Sequence, residues 1–516
     1  MENAIIKEKG AKELNGKEKQ DGAKELKGKE KQDGTKELKG NGKQDGAKEF
    51  KGKEKQDGAK ELKGNGKQDG AKELKGKEKQ DGAKELKGNG KQDGTKELKG
   101  ARKLWLDNLR WVTVLLVLFY HVIYFFNNKG VFGGIGGFGT YPEVKQYQDV
   151  VMYILYPWFM PLLFLLAGIS ARYALDKGES SKTAGSNGRG KARESAEAAV
   201  ENGAVEEGKG RKADGKRSTA GRWFSARTRK LLVPATIGLL VFQWMVGYFN
   251  TAVAGVAQGT DLSAGVPGVA KYIMWSFSGI GPLWFAQELW LFSLLLLIIR
   301  PLDRRDRFHH WCGKAFGGRL GIAWIILLGI LFYVAGQFMI HNPRPETLDG
   351  LYNLYKPLFY IVPFLMGYFI FSNDSVQGTL KQAWIPLLAV ALISGGILVG
   401  TGFGRDNTTP EYLGSPLNSL YGWLACLAMM GWFQAKFDRT GVFAGYMTRS
   451  SYGLYILHYL VIASLGYMMK MYTTLPPVAM YAILTVAVFT LTPLLYEILR
   501  RIPFVRWAAL GEKKRK

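Results

Sequence analysis

Long apolar stretches recur along the chain from residue 104 onward, and short polar loops separate them. Each stretch covers roughly 16 to 25 residues, which is the length that an α-helix needs to cross a lipid bilayer. The pattern predicts an all-α, polytopic integral membrane protein with about ten transmembrane helices. The predicted spans lie near residues 107–126, 148–175, 230–249, 282–299, 320–340, 355–371, 384–400, 417–433, 451–469 and 477–499.

Basic residues divide the loops between these spans into two sets. One set contains the segments 172–230, 304–307 and 436–449 and the C-terminal KKRK, whereas the other set carries only scattered charges. Because Lys and Arg concentrate in cytoplasmic loops, this asymmetry predicts that both termini are cytoplasmic. An even number of spans requires the same arrangement. We expect a multi-pass protein of the cell (plasma) membrane.

Residues 1–100 repeat a polar unit of about twelve residues, in which KGKEKQDGAKEL alternates with KGNGKQDGAKEL. The unit contains few apolar side chains, and its glycines interrupt any helix that AKEL begins, so it cannot bury a core. We predict a disordered cytoplasmic tail. Contact of its positive charge with an anionic leaflet is one interpretation, and a repeat expansion without a role is the other.

The rest of the chain is predicted to form one transmembrane domain, residues 101–510, followed by a basic cytoplasmic tail at 511–516. A segment at about 176–220, rich in Gly, Ser, Ala, Lys and Glu, reads as a disordered cytoplasmic insert between the second and third spans. No cleavable signal peptide is recognisable, because the first apolar segment begins only after residue 103 and is too long for a signal-peptide core. The first helix then serves as a signal anchor.

The net charge of +26 raises the question of a nucleic-acid partner. The basic residues lie in the tail and the loops rather than interleaved with aromatic residues on one domain, which argues against nucleic acid. Cys312 and Cys426 fall in a predicted cytoplasmic loop and a predicted span, so we expect no disulfide. The spacing of Cys and His fits no metal site, and we predict neither a metal nor a bound cofactor.

The first span reads LWLDNLRWVTVLLVLFYHVIYFF from Leu104 to Phe126. Arg110 and His121 share one face of this helix, about 16 Å apart. Since an imidazole in hydrocarbon is costly unless it faces a polar cavity or a partner, His121 is a candidate catalytic residue. A purely structural hydrogen bond from His121 to a neighbouring helix is an equal alternative on this helix alone.

A basic cluster opens the third span in the sequence FSARTRKLLVP. Its members, Arg227, Arg229 and Lys230, are suited to hold phosphate groups through charge-assisted hydrogen bonds. The alternative is that they only anchor the cytoplasmic end of the helix, as basic residues do in membrane proteins generally.

Two further ionisable residues lie inside predicted spans: Glu288 in GPLWFAQELW and His458 in SYGLYILH. An unpaired carboxylate in hydrocarbon costs several kcal/mol, so Glu288 must face a cavity or a partner. A structural pair and a catalytic role both satisfy this requirement. The remaining histidines, which we expect in loops, are His309, His310 and His341.

Five motifs occur together in an order that is known from one family. They are R-x10-H from Arg110 to His121, then PLLFLLAGIS, RTRKLLVP, GPLWFAQELWLFS and SYGLYILH. The region from about 102 to 507 resembles the membrane-bound acyltransferase family 3, whose members have about ten transmembrane helices. It is most similar to the branch that contains glucan biosynthesis protein C, which is taken to succinylate periplasmic glucans.

The resemblance implies transfer of an acyl group, succinyl or acetyl, from cytoplasmic acyl-CoA to a hydroxyl of an extracytoplasmic glycan. The essential arginine and histidine of the family correspond to Arg110 and His121. Its R-x-x-R motif corresponds to Arg227 to Lys230, with lysine in the last place and Arg229 beside it. Acyl-CoA is expected as a donor substrate rather than as a bound cofactor.

Acyl transfer from a thioester also needs a group that takes the acceptor's proton near neutral pH, and imidazole is suited to this role. We predict that His121 is this base, or a transient acyl carrier, and that His458 and Glu288 orient or polarise the reactants. Arg110 and the basic cluster would steer the anionic donor.

Two readings from other classes compete. A polytopic transporter or exporter of a small anion or glycan also buries ionisable groups, and a membrane scaffold with a recruiting tail also explains the basic repeats.

Overall fold

A computed structural model describes residues 103–125, 149–200, 219–258, 261, 263–303, 305–340, 356–405 and 409–512. Every regular element in these ranges is a helix, which confirms the all-α class. The repeat tail 1–100 lies outside the described residues, so its disorder stays a prediction.

The helices are numbered here in chain order. They are α1 (Leu104–Phe125), α2 (Asp149–Val200), α3 (Thr219–Arg227), α4 (Trp244–Gln258), α5 (Gly268–Ser278), α6 (Trp284–Ile299), α7 (Arg307–Gly317), α8 (Gly321–Ile340), α9 (Pro357–Met366), α10 (Asp374–Gln382), α11 (Trp384–Gly402), α12 (Pro410–Leu413), α13 (Pro416–Lys436), α14 (Val442–Tyr472), α15 (Pro477–Leu499) and α16 (Pro503–Leu510). Short 3-10 or π-helical turns occupy Thr228–Leu232, Leu239–Gln243, Gly281–Leu283, Arg300–Asp303 and Gly367–Phe371.

Helices occur at all ten predicted spans, but they are not equally suited to cross a bilayer. Six single helices in the described part of the chain are long and apolar enough, and α7 with α8 would make a seventh as one span bent by 115°. Two other apolar helices, Leu239–Val253 and Leu358–Phe371, are shorter. The helices confirm a membrane protein, whereas the predicted number of about ten spans is not confirmed.

The first helix lies in the interior of the helix bundle, where it packs against α2, α13 and α14. Its side chains Leu109, Val117 and Phe125 are fully buried. In contrast, α11 leaves Leu392 and Ile393 about two thirds exposed, as expected for a helix that faces lipid. The candidate residues of α1 are therefore held by protein on several sides.

Close backbone contacts fix α2 against α9 and the turn that follows it. A Cβ atom added at Gly168 would lie 2.0 Å from the carbonyl oxygen of Phe364, and one at Gly367 would lie 2.2 Å from that of Leu165. Small residues allow helices in lipid to approach this closely. The pair of glycines thus sets the position of α2 beside α9 and the turn Gly367–Phe371.

An ion network ties α2 to the segment between α6 and α7. Arg172 pairs with Asp176 at 2.8 Å and with Asp306 at 2.9 Å, and Arg300 lies 3.4 Å from Asp176. Burial alone would raise the pKa of Asp306, but the hydrogen bond and charge of Arg172 outweigh it and hold this pKa below its usual value. The network thus fixes the middle of α2, where its apolar span Val150–Lys177 ends.

Two segments that the sequence assigned to loops contain helix. The buried Cys312 lies in α7, and α2 continues to Val200, inside the predicted insert at about 176–220. Residues 201–218 lie outside the described residues. Disorder of the insert therefore stays a prediction, as does the cytoplasmic position of the basic tail at 511–516.

Candidate active site

Two polar groups stand on one face of α1, and each meets residues from other helices. Arg110 lies in the second turn of the helix, and His121 lies four residues before its described end at Phe125. The face that they share is the one expected from their spacing. Arg110 gathers the basic residues, whereas His121 meets a second histidine.

His121 and His458 form a hydrogen-bonded pair between α1 and α14. The distance from His458 Nε2 to His121 Nδ1 is 3.3 Å, and the ring centroids are 5.1 Å apart. His458 is fully buried. The structure thus brings together the two histidines that the sequence placed inside spans, although 337 positions separate them.

Backbone carbonyls fix the proton positions on both rings. His121 Nδ1 lies 2.8 Å from Val117 O, and His458 Nδ1 lies 2.7 Å from Tyr455 O. Because a carbonyl oxygen only accepts, each Nδ1 must carry the proton. His121 Nδ1–H is then shared between Val117 O and His458 Nε2, and Nε2 of His121 keeps its lone pair.

Tyrosines surround the pair. The rings of Tyr120 and Tyr459 each meet the His121 ring edge to face at a centroid distance of 5.5 Å. Tyr455 donates its hydroxyl proton to the carbonyl oxygen of Pro282, which precedes α6. These rings pack around the imidazoles, of which His458 is fully buried and His121 partly buried.

Glu288 of α6 lies close to this layer, beside two of its tyrosines. Its side chain is only 3% exposed, and neither carboxylate oxygen has a hydrogen-bond partner among the described residues. Its carboxyl group interacts electrostatically with the hydroxyl groups of Tyr360 and Tyr455. Glu288 therefore lies beside the tyrosine that supports His458, and the ion pair considered from the sequence does not form with a described residue.

Arg110 is held at the other end of the shared face. Its Nη1 lies 3.0 Å from Asp107 Oδ1, and its Nη2 donates a hydrogen bond of 2.6 Å to Ser170 Oγ in α2. These contacts use part of the guanidinium and fix its plane. The charge of Arg110 reaches the start of the third predicted span, where it acts on both Arg227 and Lys230.

Arg227 and Lys230 complete a cluster of three cations with Arg110. Arg227 donates to Ser293 Oγ at 3.2 Å and stacks over the Trp223 ring at 4.8 Å. Burial, and then the positive charge of Arg110, lower the pKa of Arg227 to about 10. No carboxylate of the described chain lies within ion-pair distance of Arg227 or Lys230. Such an arrangement favours a bound anion.

Arg229, the third residue of the predicted basic cluster, points elsewhere. It lines an open cavity of about 680 Å³ together with Phe224 and Trp507. Its Nε is buried and has no hydrogen-bond partner in the described ranges. The predicted basic cluster thus divides into Arg227 and Lys230 beside Arg110, and Arg229 on a separate surface.

The C-terminal helix α16 is a part of this region that sequence reasoning missed. Gly511, at φ +63°, packs against the backbone of Arg229 and Lys230, and the charge of Glu512 acts on Lys230. A Cβ atom at Gly511 would lie 2.7 Å from Arg229 O, and the left-handed backbone also favours glycine. In the sequence, the only feature that indicates this contact is the glycine at position 511.

Other supporting residues could have been found from helix spacing. Tyr455 lies three residues before His458 and therefore on the same side of α14. Ser170 and Ser293, which hold Arg110 and Arg227, give no signal of their own in an apolar helix. No group of three or more His, Cys, Asp or Glu residues gathers to bind a metal within the ranges described.

The apolar helices define a polytopic membrane protein, and its candidate site combines the histidine pair with the cation cluster around Arg110. The model of the acyltransferase domain of acyltransferase family 3 matches residues 103–497. The chain belongs to this family, and all the candidate residues lie in the matched region. No curated protein and no solved structure matches the chain.

Proposed function

We propose that the protein transfers an acyl group, succinyl or acetyl, from cytoplasmic acyl-CoA to a hydroxyl of a glycan outside the cell membrane. The observation that carries this proposal is the hydrogen bonding of His121. Its Nδ1–H is shared between Val117 O and His458 Nε2, so that Nε2 is free to accept a proton. Family membership supplies the reaction class.

In this mechanism His121 is the general base. Its Nε2 accepts the proton of the acceptor hydroxyl while the oxygen forms a bond to the thioester carbon and the bond from carbon to sulfur breaks. The proton then passes from Nε2 to the departing thiolate of CoA, so the step is balanced. If His121 instead carries the acyl group, the same lone pair attacks the thioester first.

His458 supports the charge that forms on His121. When Nε2 of His121 gains a proton, its Nδ1–H becomes a stronger donor, and His458 Nε2 accepts from it. The hydrogen bond to Tyr455 O holds His458 in the required tautomer. Glu288, beside Tyr455, orients and polarises this layer rather than reacting with the substrates.

The cation cluster binds the donor in this scheme. Phosphate groups of acyl-CoA meet Arg110, Arg227 and Lys230, while the extended arm of CoA carries the thioester along α1 towards His121. The two sites on α1 are about 16 Å apart. With both termini in the cytoplasm of a plasma-membrane protein, the cation cluster faces the cytoplasm and His121 lies towards the outside.

The resemblance to the branch that contains glucan biosynthesis protein C suggests a more specific form of the proposal. In this form the acyl group is succinyl and the acceptor is a periplasmic glucan. Mass spectrometry of surface and secreted glycans tests it in cells. We compare wild type, a deletion strain, His121→Ala, and His310→Ala as a matched control, because His310 is exposed and lies in α7.

We expect one acyl mass to be lost in the deletion strain and in His121→Ala, and to be kept in His310→Ala. Unchanged glycans in the deletion strain would contradict the proposal. Loss of glycan from the surface without any change in acylation would instead favour a transporter.

A further inference from the structure

A narrow cleft lies between α2, α8, α9 and α13, at the end of the bundle where α1 carries His121. Its lining includes Tyr156, Phe359 and Tyr360, together with Asn418, Ser419 and Lys356. About 30 Å³ of it has room for the centre of a water molecule, so its floor admits a water-sized or hydroxyl-sized group. None of the residues described as lining it is acidic.

The cleft contains a polar atom that lacks its partner. Asn418 Nδ2 donates to Leu413 O at 3.1 Å, which fixes the orientation of the amide. Asn418 Oδ1 is then turned the other way, is buried, and has no hydrogen-bond partner in the described part of the protein. A buried carbonyl oxygen of this kind requires a donor, and a hydroxyl group supplies one.

Lys356 gives the cleft its charge. No carboxylate of the described residues forms an ion pair with it. It stands in the left-handed region, at φ +52°, directly before Pro357, where few non-glycine residues are found. Lys356 therefore lines the cleft at the point where the chain enters α9.

A layer of aromatic rings connects the cleft to the histidine pair. Tyr156, in the cleft wall, stacks on Tyr120 at 6.0 Å, and Tyr120 meets His121 at 5.5 Å. On the other side, Tyr360 of the cleft wall stacks on Phe164 at 4.7 Å, and the carboxyl group of Glu288 interacts with it electrostatically. The cleft is thus one ring layer away from the reacting group.

The geometry points to this cleft as the entry site of the acyl acceptor, and to an acceptor that carries both hydroxyl groups and an anionic group such as a phosphate ester. A hydroxyl donates to Asn418 Oδ1, the flat faces of sugar rings pack on the aromatic wall, and the anion pairs with Lys356. The inference rests on the proposed function, and it adds the chemical class of the acceptor.

Matched acceptors test the inference with purified full-length protein in lipid nanodiscs. The probes are maltotriose and maltotriose bearing one phosphate monoester, with labelled succinyl-CoA and acetyl-CoA as donors. Binding of the two probes without donor is measured in parallel by equilibrium dialysis. The variants are Lys356→Met, Lys356→Arg and Asn418→Leu, and the matched control is Lys436→Met at the opposite end of α13.

We expect the phosphorylated probe to bind and react with a KM about 10-fold below that of maltotriose. Lys356→Met should remove this preference, and Lys356→Arg should keep most of it. Asn418→Leu should lower the affinity for both probes. The control Lys436→Met should match the wild type.

Equal KM values for the two probes, or a preference that survives Lys356→Met, would overturn the inference even if transfer still requires His121. Binding that depends on Lys356, without any transfer that depends on His121, would support the cleft and contradict the proposed reaction. The two proposals therefore fail separately.

Discussion

The two ends of the polar face of α1 differ in the charge of the groups that surround them. Around Arg110 the fold gathers two more cations, Arg227 and Lys230, and holds them with serine hydroxyls and aromatic rings. Around His121 it places a second imidazole, carbonyl oxygens and tyrosine rings. One end is cationic and the other is built from neutral groups.

The difference separates binding from chemistry. Cations that repel one another gain stability when an anion binds between them, so the Arg110 end suits the donor. A proton transfer needs groups whose tautomers are fixed, and backbone carbonyls fix the tautomers of His121 and His458. Substitutions at the two ends should therefore affect different kinetic constants.

The largest effect is expected for His121→Ala. Loss of the general base should lower kcat about 10³-fold and leave the KM for acyl-CoA nearly unchanged. Steady-state transfer kinetics in nanodiscs measure both constants. A fall in kcat of less than about 10-fold would contradict a role of His121 as general base, because a positioned acid–base group contributes more than this.

Arg227→Met should act on binding. Losing a charge-assisted hydrogen bond costs about 1.5–3 kcal/mol, which corresponds to a KM for acyl-CoA raised about 10- to 100-fold. The kcat should change little, and Arg227→Lys should recover part of the affinity. Arg305→Met is the matched control, because Arg305 is exposed and lies apart from the cluster. A fall in kcat alone would contradict a binding role.

His458→Leu should lower kcat about 10-fold, because His121 loses one hydrogen-bond acceptor worth about 1–2 kcal/mol. The KM for acyl-CoA should stay the same. His458→Gln, whose carbonyl oxygen also accepts, should recover part of the rate if the hydrogen bond matters. Equal rates for the Leu and Gln variants would indicate that His458 only fills space.

Gly168→Ala tests the packing that positions α2 beside α9. The added Cβ would lie 2.0 Å from Phe364 O, so a backbone shift costing about 1–3 kcal/mol is expected, and Tm should fall by several degrees. Gly396→Ala in α11 is the control, because a Cβ there meets open space. Equal melting temperatures for the two variants would contradict the close contact.

The smallest effect concerns the ion pair between Arg172 and Asp306. Because the pKa of Asp306 is lowered, its contribution is present above the pKa of the unfolded chain, near 4, and is lost as pH falls through its folded value. The pair is partly exposed, so Asp306→Asn should cost less than about 1 kcal/mol at pH 7. The difference in Tm from wild type should shrink as the pH falls below about 4, and a difference that stays constant with pH would contradict this origin.

Much of the local structure can be predicted from the sequence, because membrane helices depend on runs of apolar residues. Helices appear at each predicted span, and the common face of Arg110 and His121 follows from their spacing alone. The number of membrane spans is predicted less well from the runs of apolar residues. The helix α13 carries buried polar residues, Asn418 and Gln434 among them, and is not among the six candidate spans.

The candidate site depends on contacts that spacing cannot encode. The pairing of His121 with His458 joins residues 337 positions apart and arises from the packing of α1 on α14. The contact of Gly511 with Lys230 likewise requires the tertiary fold. The separation of Arg229 from Arg227 and Lys230 is an exception, because residues three positions apart share one helix face and Arg229 lies off that face.

The most direct test of the account follows an acyl group across a membrane. Proteoliposomes are sealed with labelled acyl-CoA on the side of the cation cluster, and maltotriose is supplied only on the other side. We predict labelled maltotriose outside with wild type and with His310→Ala, and none with His121→Ala. Label that crosses equally well in His121→Ala, or transfer that occurs only when both substrates share one side, would contradict a path along α1 from Arg110 to His121.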